Sequence, residues 1–410
     1  MEGRPSRRAS SDQAGRSSAA ESRRILVEQR RPRRPPCGYQ ARRAGRLLYR
    51  AHRFRHRQSA CRARGAERRL LRRRQRGQSN PGLSAGGGQR EARRESVFAK
   101  GLTQPYGIAF YPPGDKPQWV YVANSNSIVR FAYREGDMQA SGRPETIVSD
   151  IPSSHHWTRD IGFSPDGKTL YLSVGSGSNT AEDMGARPKG GVEEWARSEP
   201  LGATWGAEEG RADVLAFDPN GKNRRMVATG LRNCSGMTVQ PATGALWCVV
   251  NERDELGDNV PFEYATAVRD GAFYGWPWYY IGDNEDPNHK GARPDLAGKV
   301  TVPDVLMQAH SAPLNIAFYE GGNFPAEYKG DAFVALHGSW NRGVRTGYKV
   351  VRLKFKDGKP TGEYEDFATG FVISDDEVWG RPVGVAVAKD GALILTEDGN
   401  GTIWRVTYGG

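Results

Sequence analysis

Apolar and polar residues alternate in short runs from Phe98 onward, and Gly, Pro, Asp and Asn interrupt these runs. A period of two is typical of a β-strand with one buried face, and the four interrupting residue types favour turns. Helical periodicity is sparse: the clearest candidate is GGVEEWARSE, residues 190–199, which we expect in a surface insertion. The pattern therefore predicts an all-β fold made of many short strands.

The strands recur as a unit in which an apolar strand meets a turn and then a second apolar strand. Five copies are recognisable, and they begin at Gln104, Thr158, Asn233, Ala312 and Gly380. Their equivalent apolar positions are 53, 76, 79 and 69 residues apart, at Ile108, Ile161, Met237, Ile316 and Val385. These separations exceed the roughly 40 to 50 residues of a minimal four-stranded blade, so loops must be inserted. Radial repetition of small sheets is the architecture of a β-propeller.

The interval between Asn251 and Ala312 is long enough to hold a sixth copy. We therefore expect an all-β, six-bladed β-propeller over residues 95–410. A β-sandwich fits less well, because its strands need not repeat one motif.

Residues 1–94 have a different composition from the rest of the chain. They contain 28 Arg, no Lys and 6 acidic residues, a balance of +22, whereas the remainder holds 31 basic and 41 acidic residues, a balance of −10. The overall net charge of +12 thus describes neither part. Since the propeller region is acidic, its charge gives no reason to expect a nucleic-acid partner.

The Arg-rich segment has too few apolar residues in periodic array to offset its chain entropy, so we expect residues 1–94 to be disordered. Three origins remain open: a non-native leader from an upstream reading-frame or start-site error, an inert tail, or a nucleic-acid-binding arm. The absence of Lys favours the first. The sequence shows neither the apolar core of a signal peptide nor a run of about 18 to 20 apolar residues that would span a membrane.

Two of the four cysteines lie in this leader, and the other two flank one predicted hairpin. With a turn near Pro241 to Gly244, regular pairing places Cys234 opposite Asn251, on the other face from Cys248. We therefore expect two packed thiols, without a disulfide or a metal site.

The link HGSWNR, His337 to Arg342, concentrates chemical groups between two predicted strands. A connection that only turns the backbone would carry Gly, Asn, Asp or Pro. An imidazole, an indole and a guanidinium together suit a flat anionic ligand. The alternative is a tight turn with Trp340 packed on the core and Arg342 in solvent.

Polar residues also recur just before the predicted inner strands, where a propeller places its functional loops at one mouth of the channel. They are His155 and His156, Arg232 and Asn233, His310, and Arg381. A histidine there suits proton abstraction from a sugar hydroxyl; His156 is our candidate base and His155 its competitor. Arg232, Arg342 and Arg381 could hold carboxylates by bidentate contacts, although each alone could be a solvated surface residue.

The segment Asn251–Tyr280 combines acidic residues with Gly, Asn and Pro and then a Gly-Trp-Pro turn. Carboxylate and carbonyl oxygens at this density suit a hard cation such as calcium. The alternating Asp/Asn series of an EF-hand is absent. An ordinary acidic surface loop is the alternative reading.

Taken in order, these motifs resemble the sorbosone and pyranose dehydrogenases, soluble sugar dehydrogenases that depend on pyrroloquinoline quinone (PQQ). The resemblance runs from Val97 to Tyr408 and leaves the leader outside. It rests on QPYGIAFYPPG, HHWTRDIGFSPDGKTLYLSVGSGSN, GLRNCSGM, NERDELGDN, YGWPWYY, HSAPLNIAFY, HGSWNRGVRTGYKVVRLKF and GRPVGVAVAKDGALILTEDGNGTIWRV.

The resemblance implies a six-bladed propeller that binds PQQ and Ca²⁺ over its channel and oxidises an aldose or related sugar. It implies a periplasmic or secreted location and an external electron acceptor, a cytochrome or a quinone. Its site residues, by matched position, are the base His156, the quinone-side pair Arg232 and Asn233, the carboxylate-holding Asn341, Arg342 and Arg381, the pocket residues His337 and Trp340, and the calcium-binding stretch at Asp254 and Glu255.

Two departures from the family pattern stand out. Asn341 occupies the place where related soluble glucose dehydrogenases carry a Lys, so the carboxylate contact is expected to pass to Arg342. Family members also usually carry an export signal, which is not visible here.

Two other functions remain open. A Ca²⁺-dependent lactonase can share the propeller but needs carboxylates and amides from several inner strands on one central metal. A non-catalytic propeller that binds a partner or glycan would not need cationic residues at the axis.

Overall fold

The computed structural model describes residues 47–50 and 96–408. Of the leader that we predict to be disordered, only residues 47–50 fall inside this range; the prediction for the other residues of 1–94 lies outside it. Residues 47–50 form a strand rather than disordered chain. This first strand, β1 (Leu47–Arg50), pairs antiparallel with the last strand of the chain.

The described chain is all-β and propeller-like, as the alternation predicts. Its first sheet contains four consecutive antiparallel strands, and the second contains four more. The strands of the first sheet are β2 (Ile108–Tyr111), β3 (Trp119–Ala123), β4 (Ile128–Ala132) and β5 (Glu145–Val148). Those of the second are β6 (Ile161–Phe163), β7 (Leu170–Val174), β8 (Asp213–Phe217) and β9 (Arg225–Thr229).

The third sheet is formed by β10, β11, β12 and β16, and its last two strands are separated by an insertion. Within the insertion, β13 joins β9 in parallel, and β14 and β15 pair with each other. The bounds are β10 (Cys234–Val239), β11 (Leu246–Val250), β12 (Glu263–Ala267), β13 (Ala272–Phe273), β14 (Tyr279–Tyr280), β15 (Asn284–Glu285) and β16 (Val305–Met307).

The fourth sheet has four consecutive strands, and the fifth combines the last three strands with β1 on its outer edge. The fourth consists of β17 (Pro313–Phe318), β18 (Ala332–Leu336), β19 (Lys349–Lys356) and β20 (Lys359–Ala368). The fifth adds β21 (Pro382–Val387), β22 (Leu393–Glu397) and β23 (Thr402–Tyr408).

The predicted short helix forms as α1 (Val192–Ala196) in the insertion after β7. Four single 3₁₀ turns accompany it, at Gly206–Glu208, Pro287–His289, Pro294–Leu296 and Ala326–Tyr328. None of the helices in the described ranges reaches the length and apolar character that crossing a bilayer requires.

Strand β11 shows why these sequences form stacked sheets. Trp247 and Val249 pack toward the fourth sheet, whereas Cys248 and Val250 pack toward the second. Side chains alternate between the two faces of a strand, so an unbroken apolar run is stable only where both faces are covered. The second, third and fourth sheets are each held between two neighbours in this way.

The inner strands β2, β6, β10, β17 and β21 contact one another in this order around the hub. They contain the five apolar positions that the sequence predicts to be equivalent. Their close approach requires a glycine at 236, because a Cβ there would lie 2.6 Å from the Cα of Asn315. Across the hub, the hydroxyl of Tyr106 donates to the carbonyl of Leu314 at 3.1 Å.

Five such sheets are present in the described residues, so the predicted count of six is not reached there. The interval Asn251–Ala312 does not contain a sixth blade. Its strands β12 and β16 complete the third sheet, β13 extends the second, and β14 and β15 form only a two-stranded hairpin. Hydrophobicity alone could not distinguish strands of a new sheet from strands of a neighbouring one.

The expectation of two separate thiols at Cys234 and Cys248 is wrong, because the structure joins them in a disulfide. A bulge at Ser235 adds one residue to β10, so Cys234 pairs with Val250 instead of Asn251. The shift by one residue moves Cys234 to the face occupied by Cys248. Their Cα atoms lie 5.8 Å apart, within the usual range for a disulfide.

Candidate functional site

A cavity of about 660 Å³ lies where loops from the second, third and fourth sheets meet. This volume is within the usual range for small-molecule sites, about 300 to 1,000 Å³. Most of the residues that line it are of polar types; the full lining comprises His155, His156, Asn179, Arg232, Asn233, Asn251, Glu252, Asp254, Glu255, Gly257, Asp258, Glu263, His310, Ala312, Trp340 and Asn341.

Seven of the ten predicted site residues line this cavity: His156, Arg232, Asn233, Asp254, Glu255, Trp340 and Asn341. The other three, His337, Arg342 and Arg381, are not part of the lining. The site therefore gathers residues that precede β6 and β10 and residues that follow β11 and β18.

His156 is half-buried in the cavity wall, where its Nδ1 lies 2.8 Å from the hydroxyl and 3.1 Å from the carbonyl oxygen of Ser176. Burial, followed by the positive charge of Arg232, holds the pKa of His156 well below its usual range. The imidazole is therefore uncharged at neutral pH. An uncharged imidazole can accept a proton, as the role of general base requires.

His155 packs edge-on against His156, with ring centroids 4.4 Å apart. It also lines the cavity, but it is more exposed, and its backbone adopts a left-handed conformation with φ of 51°. Burial and the charge of Arg232 also lower the pKa of His155. Both histidines thus remain candidates by position, and His156 has the more fixed side chain.

A glycine allows two of the predicted site residues to meet. A Cβ at Gly175 would lie 2.6 Å from Oδ1 of Asn233 and 2.7 Å from Cβ of His156. Such contacts are too short, so any larger residue at 175 would push Asn233 and His156 apart. The absence of a side chain at Gly175, directly after β7, therefore allows the second and third sheets to approach each other closely at the cavity.

Arg232 is almost fully buried and is held on three sides. Its Nε donates to the carbonyl of Asn179 at 3.0 Å and Nη2 donates to Oδ1 of the same residue at 2.9 Å. Nη1 donates to the carbonyls of Glu252 at 2.7 Å and Asn251 at 3.2 Å. These contacts take four of its five N–H donors. Burial lowers the pKa of Arg232, and the nearby Asp254 opposes that effect.

The backbone of the predicted metal stretch is fixed from two directions. The amide of Asp254 donates to Oδ1 of Asn179 at 2.9 Å. Next to it, Nη1 of Arg253 donates to both carboxylate oxygens of Asp286, at 2.8 and 2.7 Å, in a buried ion pair. Glu255 follows with a left-handed backbone, φ 73°. The loop is therefore a preformed structure rather than a loose acidic turn.

Asp254 also connects two loops across the cavity. Its Oδ1 accepts a hydrogen bond from Nδ2 of Asn341 at 2.7 Å and lies 3.3 Å from Nδ1 of His310. Burial raises the pKa of Asp254, but the contact with His310 and the charge of Arg232 outweigh burial and lower that pKa below its usual value. The contact with Asp254 in turn raises the pKa of His310. Asp254 is thus a carboxylate at neutral pH.

Beneath the loop lies a pair of buried carboxyl groups. The backbone amide of Glu252 donates to Oε2 of Glu263 at 2.8 Å. Burial raises the pKa of Glu252 to about 7 and the pKa of Glu263 to about 8. Two carboxyl groups this close are disfavoured as two anions, so the pair retains a proton near neutral pH.

Trp340 and Asn341 reach the cavity from the loop after β18. Trp340 is 65% exposed, so it is not the core residue that the alternative reading of HGSWNR expected. Asn341 has its Oδ1 buried without a hydrogen-bond partner among the described residues. A buried acceptor without a partner is costly, which makes Oδ1 of Asn341 a place where a ligand group would be stabilised.

The predicted carboxylate-holding residues Arg342 and Arg381 instead bind protein groups. Arg342 donates to the carbonyls of Asp258 and Val344, each at 2.8 Å, and to Oδ1 of Asn259 at 2.9 Å. Its guanidinium therefore ties the loop after β18 to the loop after β11.

Arg381 donates to the carbonyl of His337 at 3.3 Å and to that of Gly338 at 3.0 Å. It also lies over the ring of Tyr348, 5.5 Å from the centroid. Nε2 of His337 lies 2.9 Å from Oδ1 of Asp398. Arg381 and His337 thus support the loop that carries Trp340, outside the cavity.

Sequence reasoning did not select Ser176 or Asn179, which hold His156 and Arg232. A positional signal for them exists. They follow the second strand of their sheet, β7, just as Asn251 follows β11 and His337 follows β18. Loops at equivalent ends of second strands meet at the same mouth, so this rule would have identified them.

Metal binding by side chains alone has limited support. Within the described ranges, no group of three or more His, Cys, Asp or Glu residues has a geometry that could hold a metal ion. A site built on Asp254 and Glu255 would therefore need backbone carbonyls or ligand oxygens as well.

The TrAA12-like family model matches residues 84–267 and 284–409. The chain belongs to this family. A curated relative, the pyrroloquinoline quinone-dependent pyranose dehydrogenase of Coprinopsis cinerea, is 26% identical over 362 residues, covering 73% of this chain and 46% of the relative. The chain spans about half the length of the first curated relatives it matches. The resemblance inferred from the sequence motifs is confirmed at the level of the family.

Solved structures show the same fold. The holo form of the pyranose dehydrogenase PQQ domain from Coprinopsis cinerea has a TM-score of 0.66 at 22% identity, covering 92% of this chain and 98% of that one. The calcium structure of the Trichoderma reesei family AA12 enzyme has a TM-score of 0.64 at 18% identity, with 90% and 97% covered.

Proposed function

We propose that this protein is a PQQ- and Ca²⁺-dependent sugar dehydrogenase that oxidises an aldose or related sugar, of the sorbosone or pyranose type. The observation that carries the proposal is the pairing of an uncharged, oriented imidazole at His156 with a buried guanidinium at Arg232, both facing one cavity. Membership of the TrAA12-like family supports the same activity.

The charges in the cavity fit an anionic cofactor only together with a cation. Asp254, Glu255 and Asp258 line the cavity, and Arg232 is the arginine among the lining residues. A tricarboxylate alone would be repelled by such a wall, whereas a divalent cation would be attracted. Calcium held by the Asp254–Glu255 backbone would therefore bring the cofactor to this position, with Oδ1 of Asn341 as a further contact.

When bound, PQQ would supply a two-electron acceptor for hydride and calcium would supply Lewis-acid stabilisation. His156 takes the proton of the sugar hydroxyl as a general base. General-base catalysis typically raises the rate about 10² to 10⁴-fold. Arg232 offers a preorganised positive charge and its remaining Nη2–H toward developing negative charge. Asn233 and Trp340 contribute further wall to the same cavity, and Trp340 offers an exposed ring against which a sugar could pack.

We further propose that residues 95–410 form the catalytic domain and that the ring has six sectors. Contacts between inner strands run from β2 to β21, and the described residues contain no comparable contact between β21 and β2. The sixth sector would lie between the fifth and first sheets, where the side chains of Lys389 and Glu135 form an ion pair at 3.3 Å. An experimental structure of the full chain tests this arrangement.

The disulfide between Cys234 and Cys248 supports a periplasmic or secreted location, because such bonds persist in oxidising compartments. An external cytochrome or quinone would then take the electrons. Cell fractionation with a tagged chain tests the location: recovery of the protein only in the cytosol would contradict it.

Dye-linked oxidation of a sugar panel tests the activity. The protein is incubated with PQQ and Ca²⁺, with either one alone and with neither, and then offered sorbosone, glucose, glucosone and fucose. We expect dye reduction with at least one sugar, and only when both PQQ and Ca²⁺ are present. Failure with every sugar under full reconstitution would contradict the proposal.

A second candidate is a Ca²⁺-dependent lactonase, which the cavity lining favours in one respect. Amides of Asn179, Asn233, Asn251 and Asn341 line the cavity beside the carboxylates. Amide and carboxylate oxygens from several loops are what a central calcium needs. Lactone hydrolysis with Ca²⁺ but without PQQ, in the same assay series, would favour this reading over the dehydrogenase.

A further inference from the structure

Ser176 is a fully buried serine whose hydroxyl makes two contacts. Its Oγ lies 2.7 Å from the carbonyl oxygen of Ser178 and 2.8 Å from Nδ1 of His156. A carbonyl oxygen can only accept, and a hydroxyl has one hydrogen to donate. That hydrogen is therefore directed to Ser178, and the hydrogen in the contact with His156 must belong to the imidazole.

A second contact leads to the same assignment. Nδ1 of His156 lies 3.1 Å from the carbonyl oxygen of Ser176, which is also an acceptor only. Both oxygens that face Nδ1 thus require a donor there. The backbone of Ser176 is itself fixed, because its amide donates to the carbonyl of Arg232 at 2.8 Å. His156 consequently carries its hydrogen on Nδ1 and a lone pair on Nε2.

The partner of His156 is a neutral hydroxyl, and none of the carboxylates in the described ranges is hydrogen-bonded to this ring. The charged or titratable groups that act on it are Arg232, from the loop before β10, and His155 and Arg159, from its own loop. All three disfavour a second proton on the ring. A carboxylate at position 176 would have the opposite effect, since it stabilises imidazolium.

We propose that Ser176 is the positioning residue that holds His156 as the Nδ1–H tautomer, with Nε2 as the proton acceptor, and that its neutrality keeps this base uncharged in acidic solution. The role in catalysis rests on the proposed function, whereas the tautomer and its protonation are properties of the protein without cofactor. A carboxylate at residue 176 would therefore move the lower pH limit of turnover to higher pH.

Ring nitrogen chemical shifts test the proposal on the protein without PQQ or Ca²⁺. The histidines are labelled with ¹⁵N, and the signals of His156 are assigned by their loss in His156→Gln. We expect protonated Nδ1 and unprotonated Nε2 in the wild type. Ser176→Ala should raise the Nε2–H population, and Ser176→Thr should restore the wild-type pattern. Ser178→Ala removes a neighbouring hydroxyl bound to Glu208 and should leave the protonation of both ring nitrogens as in the wild type.

Ser176→Asp tests the neutrality. It should raise the pKa of His156 by about 1 to 3 units in the same spectra. In the reconstituted enzyme, it should move the acid limb of the kcat profile to higher pH by a similar amount. Ser176→Ala should lower kcat about tenfold, as expected for one lost hydrogen bond, with little change in KM.

A wild-type ring protonated on Nε2, or ring shifts and a pKa that Ser176→Ala and Ser176→Asp leave unchanged, would overturn the proposal. The expected spectra without any sugar oxidation would retain the assignment of Ser176 and reject the dehydrogenase. Should Ser176→Asp fail to fold, the comparison of Ala with Thr decides the tautomer by itself.

Discussion

Asn179 binds both Arg232 and the backbone of Asp254 through one side-chain oxygen. Oδ1 accepts one hydrogen bond from Nη2 of Arg232 and one from the backbone amide of Asp254, each at 2.9 Å. The buried cation and the predicted calcium loop are therefore placed relative to each other by a single residue. The backbone carbonyl oxygen of Asn179 accepts a further hydrogen bond from Nε of Arg232.

Asn179→Ala should weaken Ca²⁺ binding about 10- to 100-fold, the usual effect of losing a group that orients metal ligands. Calorimetric titration of Ca²⁺ into protein with PQQ measures the change. Asn220→Ala is the control, because Asn220 accepts a hydrogen bond from Arg130 at an exposed position away from the cavity. Equal Ca²⁺ affinity in Asn179→Ala and wild type would show that the loop is held without this residue.

His156→Ala should lower kcat about 10² to 10⁴-fold while PQQ binding persists, because general-base assistance is lost and the cofactor contacts remain. Steady-state kinetics and PQQ absorbance after gel filtration measure the two effects. His155→Ala is the matched control and should retain most of the activity. If His155→Ala loses turnover and His156→Ala keeps it, the base is His155.

Asp286→Ala should destabilise the fold by about 3 to 5 kcal/mol, because it leaves Arg253 as a buried charge without its carboxylate. Both side chains of this pair are nearly inaccessible, 2% and 4% exposed. The exposed pair Arg225–Asp270 provides the control: Asp270→Ala should cost less than about 1 kcal/mol. Urea unfolding measures both variants, and similar losses for the two would contradict the special role of the buried pair.

Replacing Cys234 and Cys248 by Ser should lower the free energy of unfolding by about 3 kcal/mol, the value expected for a loop of this size, closed across 14 positions. The urea midpoint of the wild type should fall when reductant is present during unfolding. The double variant should show the same midpoint with and without reductant. A wild type that is insensitive to reductant would mean that the two thiols are free.

Glu263 should make stability decrease as pH rises. Its pKa of about 8 in the folded protein lies above the value near 4.5 of an exposed glutamate, so the folded state binds more protons between these values. The stabilisation is complete below about pH 4.5 and is lost as pH rises through about 8. Glu263→Gln should flatten the slope of unfolding free energy against pH in Ca²⁺-free buffer. Glu135→Gln, at the surface, should leave the slope unchanged.

The sequence predicts the inner strands well, because Ile161, Met237, Ile316 and Val385 are buried and Ile108 is partly buried. Their apolar character is a local property, and local properties survive folding. The short helix at Val192–Ala196 was predictable for the same reason. Repeats of one motif also place the loops before β6, β10 and β17 at one mouth, which brings His156, Arg232 and His310 together.

What the sequence could not predict depends on partners chosen during folding. Arg342 and Arg381 have the right charge for a carboxylate, but nearby carbonyl groups bind their guanidinium hydrogens instead. Cys234 was assigned to the wrong face because one unrecognised bulge changes the register of all residues before it. Between Asn251 and Ala312, strands β12, β13 and β16 joined larger sheets, whereas β14 and β15 paired with each other. Pairing of this kind is not encoded in alternation.

The bulge at Ser235 recurs in two other sheets, at Leu314 in β17 and at Val383 in β21. Each of the three strands thus carries one surplus residue directly after its hub-facing loop. A segment exchanged among these sheets would keep its loop directed toward the hub. Deleting the bulge residue would instead turn the side chains that precede it to the other face of the strand. Exchanging whole repeats should therefore change the cavity lining while preserving strand register, whereas shortening any one strand should disturb that register.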